Sequence, residues 1–440
     1  MARDHICSIV PPHLLDSMSK SSDPEIRESA ITTLSLQSAT CKHRYELLAS
    51  KAGGHHHHGS HGHGKSSHPP PAAAQGIVPG VLLESIAQSE NVDDAAKDEA
   101  QKNLAISQQV RDDRATVAGV AAGVAGAAAG DTASGFWRGV YDMHNRGNAE
   151  SVASFNLLPG TAKRLEGQPP STDKAVNEAY DSALKVLEFY KKTFNYSSLD
   201  NENMRVKSSV HFAQGLGNAF WLSTKSQMVY GDGNKFIHNF TSCIDVIGHE
   251  MTHAVTQYNS ALEYQNESGA LNEHLSDAFG IMVKQSVEDE TAANADWLIG
   301  EGVLLPGVKG VALRNMKEPG TAYNDPRFGA DIQPPTVGDI PAVMAKYGTF
   351  IRDRDYGGVH IFSGIPNRAF ALAAIAFGGY TWEKAGQIWW KVATGGVIAS
   401  NCTFVQFADA TVDAAQELFG DDAAAVVRDA WNQVGVVRSV

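Results

Sequence analysis

The chain has 440 residues, enough for two or three domains and a large core. A net charge of −13 and the lack of a long basic block argue against a nucleic-acid-binding protein. Four scattered cysteines form no CxxC pair, which favours free thiols. We find no apolar secretory segment and no run that approaches the length of a membrane span. We therefore expect a protein that starts in the cytoplasm, or is released by a route without a signal, and that does not enter a membrane.

The first third of the chain contains a repeated unit, at residues 9–44 and 77–114. The run IVPPHLLDSM (9–18) lines up with IVPGVLLESI (77–86). Each copy predicts an extended, proline-containing entry, a short helix and a longer polar helix. Neither copy has enough apolar residues for its own core, so we expect a copy to dock on a larger body. The alternative is a pair of weakly folded hairpins without a role.

Composition sets the remaining boundaries. Residues 51–76 form a His- and Pro-rich linker, with seven histidines from His55 to His68; a solvated linker is favoured over a specific metal site because nothing fixes a coordination geometry. Residues 116–134 form an Ala/Gly-rich linker suited to proteolysis. The predicted division is 1–50 for the first copy, 77–115 for the second copy, 135–259 for an N-terminal lobe and 260–440 for a C-terminal lobe.

The last two thirds of the chain show the periodicity of regular secondary structure. Apolar spacing predicts a helix over 174–193, alternation predicts a strand at 206–211, and residues 228–233 indicate a strand that runs into a tight turn. A helix is expected around residue 249 and another over 270–285. Core-like spacing predicts further helices near 367–378, 382–394, 403–418 and 421–433.

The most informative motif is His249-Glu250-x-x-His253. Residues i and i+4 share one face of a helix, so both imidazoles can reach a single metal ion. Glu250 is rotated about 100° from His249 and lies beside the metal, where it can deprotonate a water. Zinc suits this set of ligands. The alternative is a helix with two structural histidines and a solvated glutamate.

The following helix carries Glu273 and Asp277, again at i and i+4. Two carboxylates so close together on a largely apolar helix need a counter-charge, which a metal would supply. Glu273 is then the third metal ligand. Asp277 would bond the far nitrogen of a ligand histidine, with His249 as the favoured partner. The alternative, a solvated acidic face, is disfavoured by the apolar neighbours.

A glycine-rich stretch ending in His360 adds candidate donors. Asp355 can fix the tautomer of His360 and raise its pKa, and a protonated His360 could stabilise an oxyanion. Tyr264 is a second candidate donor, and Arg314 could bind a substrate carbonyl. Taken singly, each of these residues is also compatible with a structural role.

Five separated motifs in this order resemble those of the thermolysin-like zinc metallopeptidases, across residues 136–440. They are Asn218-Ala219-Phe220-Trp221, His249-Glu250-x-x-His253, the segment 264–270, Asn272-Glu273-x-x-Ser276-Asp277 and Gly357-Gly358-Val359-His360-x-x-Ser363-Gly364. The start at residue 9 resembles the short propeptide of the protealysin-type branch of this family, although here the propeptide is duplicated.

The resemblance implies an α+β fold with a β-rich N-terminal lobe, a mainly α-helical C-terminal lobe and the active-site helix between them. It implies a monomeric neutral endopeptidase that acts on protein or peptide substrates, is made as a zymogen and is inhibited by its own propeptide. The implied active-site residues are His249, His253 and Glu273 for zinc, Glu250 as general base, His360 and Tyr264 at the intermediate, and Asp355 and Asp277 in support. The implied substrate-binding residues are Asn218, the Ala219 carbonyl and Arg314, with Val246 and Leu313 at an S1′ pocket selective for large apolar residues.

The same resemblance implies a weakened calcium site. Asp245, Asp296 and Glu301 match the family's paired calcium site, whereas Lys284 and Leu298 replace two of its carboxylates. We expect one Ca²⁺ at most, with the Lys284 ammonium in place of the second charge. Residues 315–354 are longer than in the family prototype, and we expect them to form a loop at the rim of the cleft.

Two alternative functions remain open at this point. A zinc aminopeptidase shares the His-Glu-x-x-His motif, but its third ligand usually lies eighteen residues on and it carries a Gly-x-Met-x-Asn motif. Here Glu273 follows His253 by twenty residues and the second motif is missing. An inactive, His-rich metal-binding or docking protein would lack a catalytic residue, and none is missing.

Overall fold

The computed structural model describes residues 9–36, 135–147, 152–223, 225–234, 236–260, 262–327 and 329–437. All of the described residues belong to one compact unit of the chain. The second copy and both linkers lie outside the described residues, so their boundaries stay predictions. Within the described part, Cys243 and Cys402 are free and buried, as expected.

The N-terminal lobe is built on a five-stranded mixed sheet in the order β2-β1-β3-β5-β4. The strands are β1 (Arg138–Asp142), β2 (Thr161–Leu165), β3 (Val206–Val210), β4 (Ala219–Leu222) and β5 (Gln227–Tyr230). The central pairs β1–β3 and β3–β5 are parallel, and the outer pairs are antiparallel. Strand β4 lies at one end of this order and is therefore an edge strand, a position at which a further strand can add to a sheet.

Two N-terminal helices precede this sheet, α1 (Pro12–Met18) and α2 (24–36). A third, α3 (Lys174–Phe194), packs on β1 and β3. Helix α3 begins where the Asp173 carboxylate accepts hydrogen bonds from the Ala175 and Val176 amides and ends at Asn195, which adopts the left-handed conformation.

The centre of the molecule is a pair of buried helices, α4 (Ile244–Asn259) and α5 (Asn266–Glu288). They pack closely because Gly248 and Gly280 face each other. A Cβ on Gly280 would lie 2.5 Å from the Asp245 carbonyl oxygen. This contact brings the two metal-ligand motifs, one on each helix, to the same place.

The C-terminal lobe is mainly helical, which confirms the expected fold class. Its helices are α6 (Ile340–Arg354), α7 (Val359–Phe362), α8 (Gly364–Phe377), α9 (Ala385–Thr394), α10 (Phe404–Phe419) and α11 (Asp421–Gln433). Two small antiparallel pairs lie between α5 and α6, formed by β6 (Leu298–Ile299) with β7 (Arg314–Asn315) and by β8 (Asn324–Asp325) with β9 (Gly329–Ala330).

The first copy of the repeated unit packs into the same core as both lobes. The side chains of Ile9, Val10, Leu14 and Leu15 are almost completely buried. Helix α2 extends the contact to the N-terminal lobe, where Ser29 Oγ donates a hydrogen bond to the Gly215 carbonyl. Docking on a larger body, expected from the composition of the unit, is what the structure shows for this copy.

Two expectations were wrong. Residues 315–354 are not a loop throughout, because they contain β8, β9 and helix α6. The helical stretch 359–377 is also long and apolar enough to pass as a membrane span, although no such run was expected. Its apolar window is 78% buried inside the protein, as in the core helix of a globular fold.

Candidate active site

Helix α4 places His249 and His253 on one face, as their spacing predicts. Their Nε2 atoms are 3.0 Å apart, and both residues are buried. Glu273 reaches the same point from α5. Its Oε2 is 3.5 Å from His249 Nε2, and its Oε1 is 3.5 Å from His253 Nε2. Burial opposes ionisation of Glu273, but the charges of His360, His253 and His249 outweigh it and lower the pKa of Glu273 to about 2.

The outer nitrogens of both histidines are held by other side chains. His249 Nδ1 is 2.8 Å from Asp277 Oδ1, which is the partner that the sequence favours. His253 Nδ1 is 2.9 Å from Asn272 Oδ1 and 3.0 Å from Ser276 Oγ. These bonds orient both rings and leave both Nε2 atoms directed at Glu273.

Asp277 connects His249 to two further side chains. Besides His249, its carboxylate accepts bonds from Arg314 Nε at 2.8 Å, from Arg314 Nη2 at 2.6 Å and from Asn367 Nδ2 at 2.8 Å. Burial opposes the charge of Asp277, but the guanidinium and His249 hold its pKa far below the usual range. No role of Asn272 or Asn367 was predicted from the sequence. Asn272 adjoins Glu273, which could have drawn attention to it, whereas Asn367 lies ninety residues from Asp277 without a local signal.

Glu250 lies between the two histidines and the sheet. Its Oε2 accepts a hydrogen bond of 2.9 Å from the amide of Trp221 on β4. The possible ligand atoms of His249, Glu250 and His253 all lie within 4.8 Å of one another. The carboxylate therefore lies beside the two histidines, where the rotation of about 100° along the helix puts it.

His360 and Tyr264 approach Glu273 from the opposite side. His360 Nε2 is 3.6 Å from Glu273 Oε2 and 3.3 Å from the Tyr264 hydroxyl, which donates to Glu273 Oε1. His360 Nδ1 is 2.7 Å from Asp355 Oδ1. Burial works against the charged ring, but Glu273 and Asp355 outweigh it and raise the pKa of His360.

The backbone path to His360 depends on Gly358. This residue has φ +99° and precedes α7, and a Cβ here would lie 2.4 Å from the ring of Phe362. A side chain at position 358 is excluded both by this conformation and by this contact. The ring of Phe362 thus packs directly against the turn that carries His360.

All of the predicted substrate-binding residues are buried. Asn218 is buried at the start of edge strand β4, and its Nδ2 has no hydrogen-bond partner among the described residues. Val246 and Leu313 are fully buried. Arg314 is buried as well, and its Nη1 donates a hydrogen bond of 2.8 Å to the backbone carbonyl of Ile9, in the docked first copy.

The candidate calcium residues are engaged by a lysine. Lys284 Nζ donates to Asp296 Oδ2 at 2.9 Å and to Glu301 Oε2 at 2.8 Å. Asp245 is buried, and its carboxylate accepts a hydrogen bond from the Gly300 amide. Binding of one calcium ion stays a prediction.

The donor set fits zinc. Two imidazole nitrogens and a carboxylate converge with separations of 3.0 to 3.5 Å. Tetrahedral ligands at 2.0–2.1 Å from one ion are about 3.3 Å from each other. The two lobes, the buried helix between them and this set of donors define a metallopeptidase.

Comparison with known proteins gives the family. The family model "Thermolysin metallopeptidase, catalytic domain" matches residues 131–257, and the model of the alpha-helical domain matches residues 260–436. Protease PrtS of Photorhabdus sp. (strain Az29) is 43% identical over 300 residues, which are 68% of this chain and 76% of that protein. Bacillolysin of Bacillus cereus is 38% identical over 316 residues, or 67% of this chain and 48% of that protein.

A solved structure is similar over most of the chain. It is the precursor of protealysin, a metalloproteinase from Serratia proteamaculans, with a TM-score of 0.64 at 39% identity. The match covers 83% of this chain and all of that one. The chain belongs to the thermolysin family of metalloendopeptidases.

Proposed function

We propose that this chain is a zinc-dependent neutral endopeptidase made as a zymogen, which its N-terminal segment holds inactive and which cleaves before large apolar residues. The zymogen rests on one observation, the bond from Arg314 Nη1 to the Ile9 carbonyl. Arg314 is the residue that the sequence assigns to a substrate carbonyl. The N-terminal segment and a substrate therefore compete for the same guanidinium.

The burial of the segment supports this competition. Ile9 and Val10 are completely buried, and Leu14 and Leu15 follow on one side of α1. Full burial of an aliphatic side chain contributes about 1.5–3 kcal/mol. Several such side chains hold the segment in place until a peptide bond further along the chain is cut and the attachment to the enzyme is lost.

The residues around Glu273 supply the chemistry. Zinc, held by His249, His253 and Glu273, would polarise the scissile carbonyl and acidify a water. Glu250, anchored by the Trp221 amide, accepts the proton of the attacking water and delivers it to the departing amine.

Two further groups face the developing oxyanion. Asp355 and Glu273 favour the protonated form of His360, which donates a hydrogen bond to the negative oxygen. The Tyr264 hydroxyl lies beside it and is the second donor. The bond to Asp355 fixes the His360 ring before the reaction, so little reorganisation of this donor is needed when the charge appears, whereas the Tyr264 O–H turns from Glu273 Oε1 to the oxyanion.

The peptide substrate extends the sheet. Edge strand β4 offers the Ala219 carbonyl, and the Asn218 side chain lies directly before the strand. Main-chain hydrogen bonds of this kind bind a peptide independently of its sequence. Selectivity then comes from the apolar pocket at Val246 and Leu313, which favours a large apolar residue after the cut.

Glu250→Gln in the full chain tests the function. The variant should bind zinc in equimolar amount, remain unprocessed, and lose about 10²–10⁴-fold of the casein hydrolysis of the wild-type protein, because the proton acceptor is gone. Processing is followed by intact mass and N-terminal sequencing. Mass spectrometry of the casein fragments gives the residue after each cut, for which we expect Leu, Phe or Ile.

The matched control is Glu188→Gln, which neutralises an exposed carboxylate on α3. It should process itself and cut casein at the wild-type rate. A Glu250→Gln chain that still cleaves casein would refute the assignment of the base. Fragments without large apolar residues after the cut would refute the specificity alone.

A further inference from the structure

The side chain of His13 is the one titratable group in the core-facing run from Ile9 to Leu15. It is buried, and its Nε2 lies 2.5 Å from the Tyr323 hydroxyl. The ring stacks on Tyr323 at 6.3 Å between centroids and meets the edge of Phe350 at 6.4 Å. Both partners belong to the 315–354 segment, for which the sequence predicts no function.

The groups that face His13 disfavour a positive charge. Arg314 and His360 lie on the cleft side, and both lower the pKa of His13. Lys346 and Tyr347 of α6 line a surface pocket that His13 also lines. Asp16 on α1 forms an ion pair with Lys20, two residues beyond the end of that helix, so the two charges neutralise each other. Asp331 acts on Tyr323, and burial raises the pKa of Asp331 to about 6, so this carboxylate loses its charge in mild acid.

We propose that Tyr323 and Phe350 form a seat for the neutral His13 ring, and that protonation of His13 releases the N-terminal segment, so that acid loosens the inhibitor. This inference rests on the proposed function, in which the segment blocks the cleft. It assigns a role to the insertion and adds a condition, mild acid, under which the enzyme is set free.

The size of the effect follows from linkage. Burial first, and then the charges of His360 and Arg314, lower the pKa of His13 from 6.5 to about 3 in the docked state. Because docking lowers the pKa of His13, the docked state loses stability as pH falls below the free value of 6.5, and the loss continues down to about pH 3. At pH 5 the opening equilibrium should be roughly 30-fold larger than at neutral pH.

The chain itself suggests a control that does not titrate. The second copy has Val81 at the position that corresponds to His13. His13→Val therefore introduces an apolar side chain that already occurs at this position of the repeat. His13→Gln is a second variant, which keeps a polar partner for Tyr323 and cannot be protonated.

Hydrogen exchange of residues 9–18 at about pH 7.5 and pH 5, corrected for intrinsic rates, tests the inference in the full chain. Every protein carries Glu250→Gln, so that processing does not remove the segment. Opening should increase about 30-fold with His13 and less than about threefold with His13→Gln or His13→Val. Helix α8 serves as the reference and should not open. A pH effect that survives in His13→Gln, or that is missing with His13, would overturn the proposal.

Phe350→Glu tests the seat independently. A carboxylate beside the ring stabilises the imidazolium, so the 30-fold effect should shrink several-fold; an unchanged effect would contradict the part assigned to α6. Exchange reports docking and not catalysis. If docking does not depend on pH, the proposal for His13 is wrong but the proposed endopeptidase function is unaffected. If docking depends on pH but the wild-type protein never cleaves casein, the proposed function is wrong and the proposal for His13 stands.

Discussion

The position of Lys284 predicts that its ammonium takes the place of a calcium ion. Its ammonium is buried and bonds Asp296 and Glu301 at 2.9 and 2.8 Å, close to the buried Asp245. Burial opposes the charge, but the bonds to Glu301 and Asp296 outweigh it and raise the pKa of Lys284. A permanent cation thus already neutralises the carboxylates to which the family resemblance assigns calcium.

The cost of removing this cation can be bracketed. Breaking a fully buried ion pair costs about 3–5 kcal/mol. The side chains of Asp296 and Glu301 are 34% and 49% exposed, so water screens much of the unpaired charge. We therefore expect Lys284→Met to lower the free energy of unfolding by about 1–2 kcal/mol. Lys284→Glu should cost more in the absence of calcium, because it adds a fourth carboxylate to the cluster.

Thermal unfolding with about 5 mM calcium or with a calcium chelator, at constant zinc, provides the assay. Wild-type protein, which we expect to bind one calcium ion at most, should change its Tm little. Lys284→Glu should recover up to about 2.7 kcal/mol if calcium reaches a hundredfold excess over Kd. Lys284→Arg, which keeps the charge, is the control. Equal stabilisation of wild type and Lys284→Glu by calcium would refute the reasoning.

Two further predictions concern His211 and Asn272. Bonds to Asp232 and then Asp173 raise the pKa of His211 to about 9, so its contribution is complete below pH 6.5 and is lost as pH rises through about 9. The Tm difference between wild type and His211→Asn, a residue that tolerates the left-handed backbone at this position, should correspond to at most about 3 kcal/mol at pH 6 and vanish near pH 10; a constant difference would contradict this. Asn272→Leu removes a partner of His253 Nδ1 and should weaken zinc binding about 10–100-fold in a chelator competition, with unchanged affinity as the contrary result.

The sequence determined the parts of the site that local geometry controls. His249 and His253 share a face because a helix repeats every 3.6 residues, and Glu273 and Asp277 share one for the same reason. The order of the motifs along the chain was enough to identify the family. Each copy has too few apolar residues for a core of its own, and this was enough to predict that a copy docks on a larger body.

Only the tertiary structure decided how these elements meet. The Trp221 amide on Glu250, Asn367 on Asp277 and Tyr323 on His13 join residues that lie 29, 90 and 310 positions apart. The tertiary structure also shows helix α6 where a loop was expected. Contacts over such separations follow from how strands and helices pack in three dimensions, and no repeat within one helix or strand encodes them.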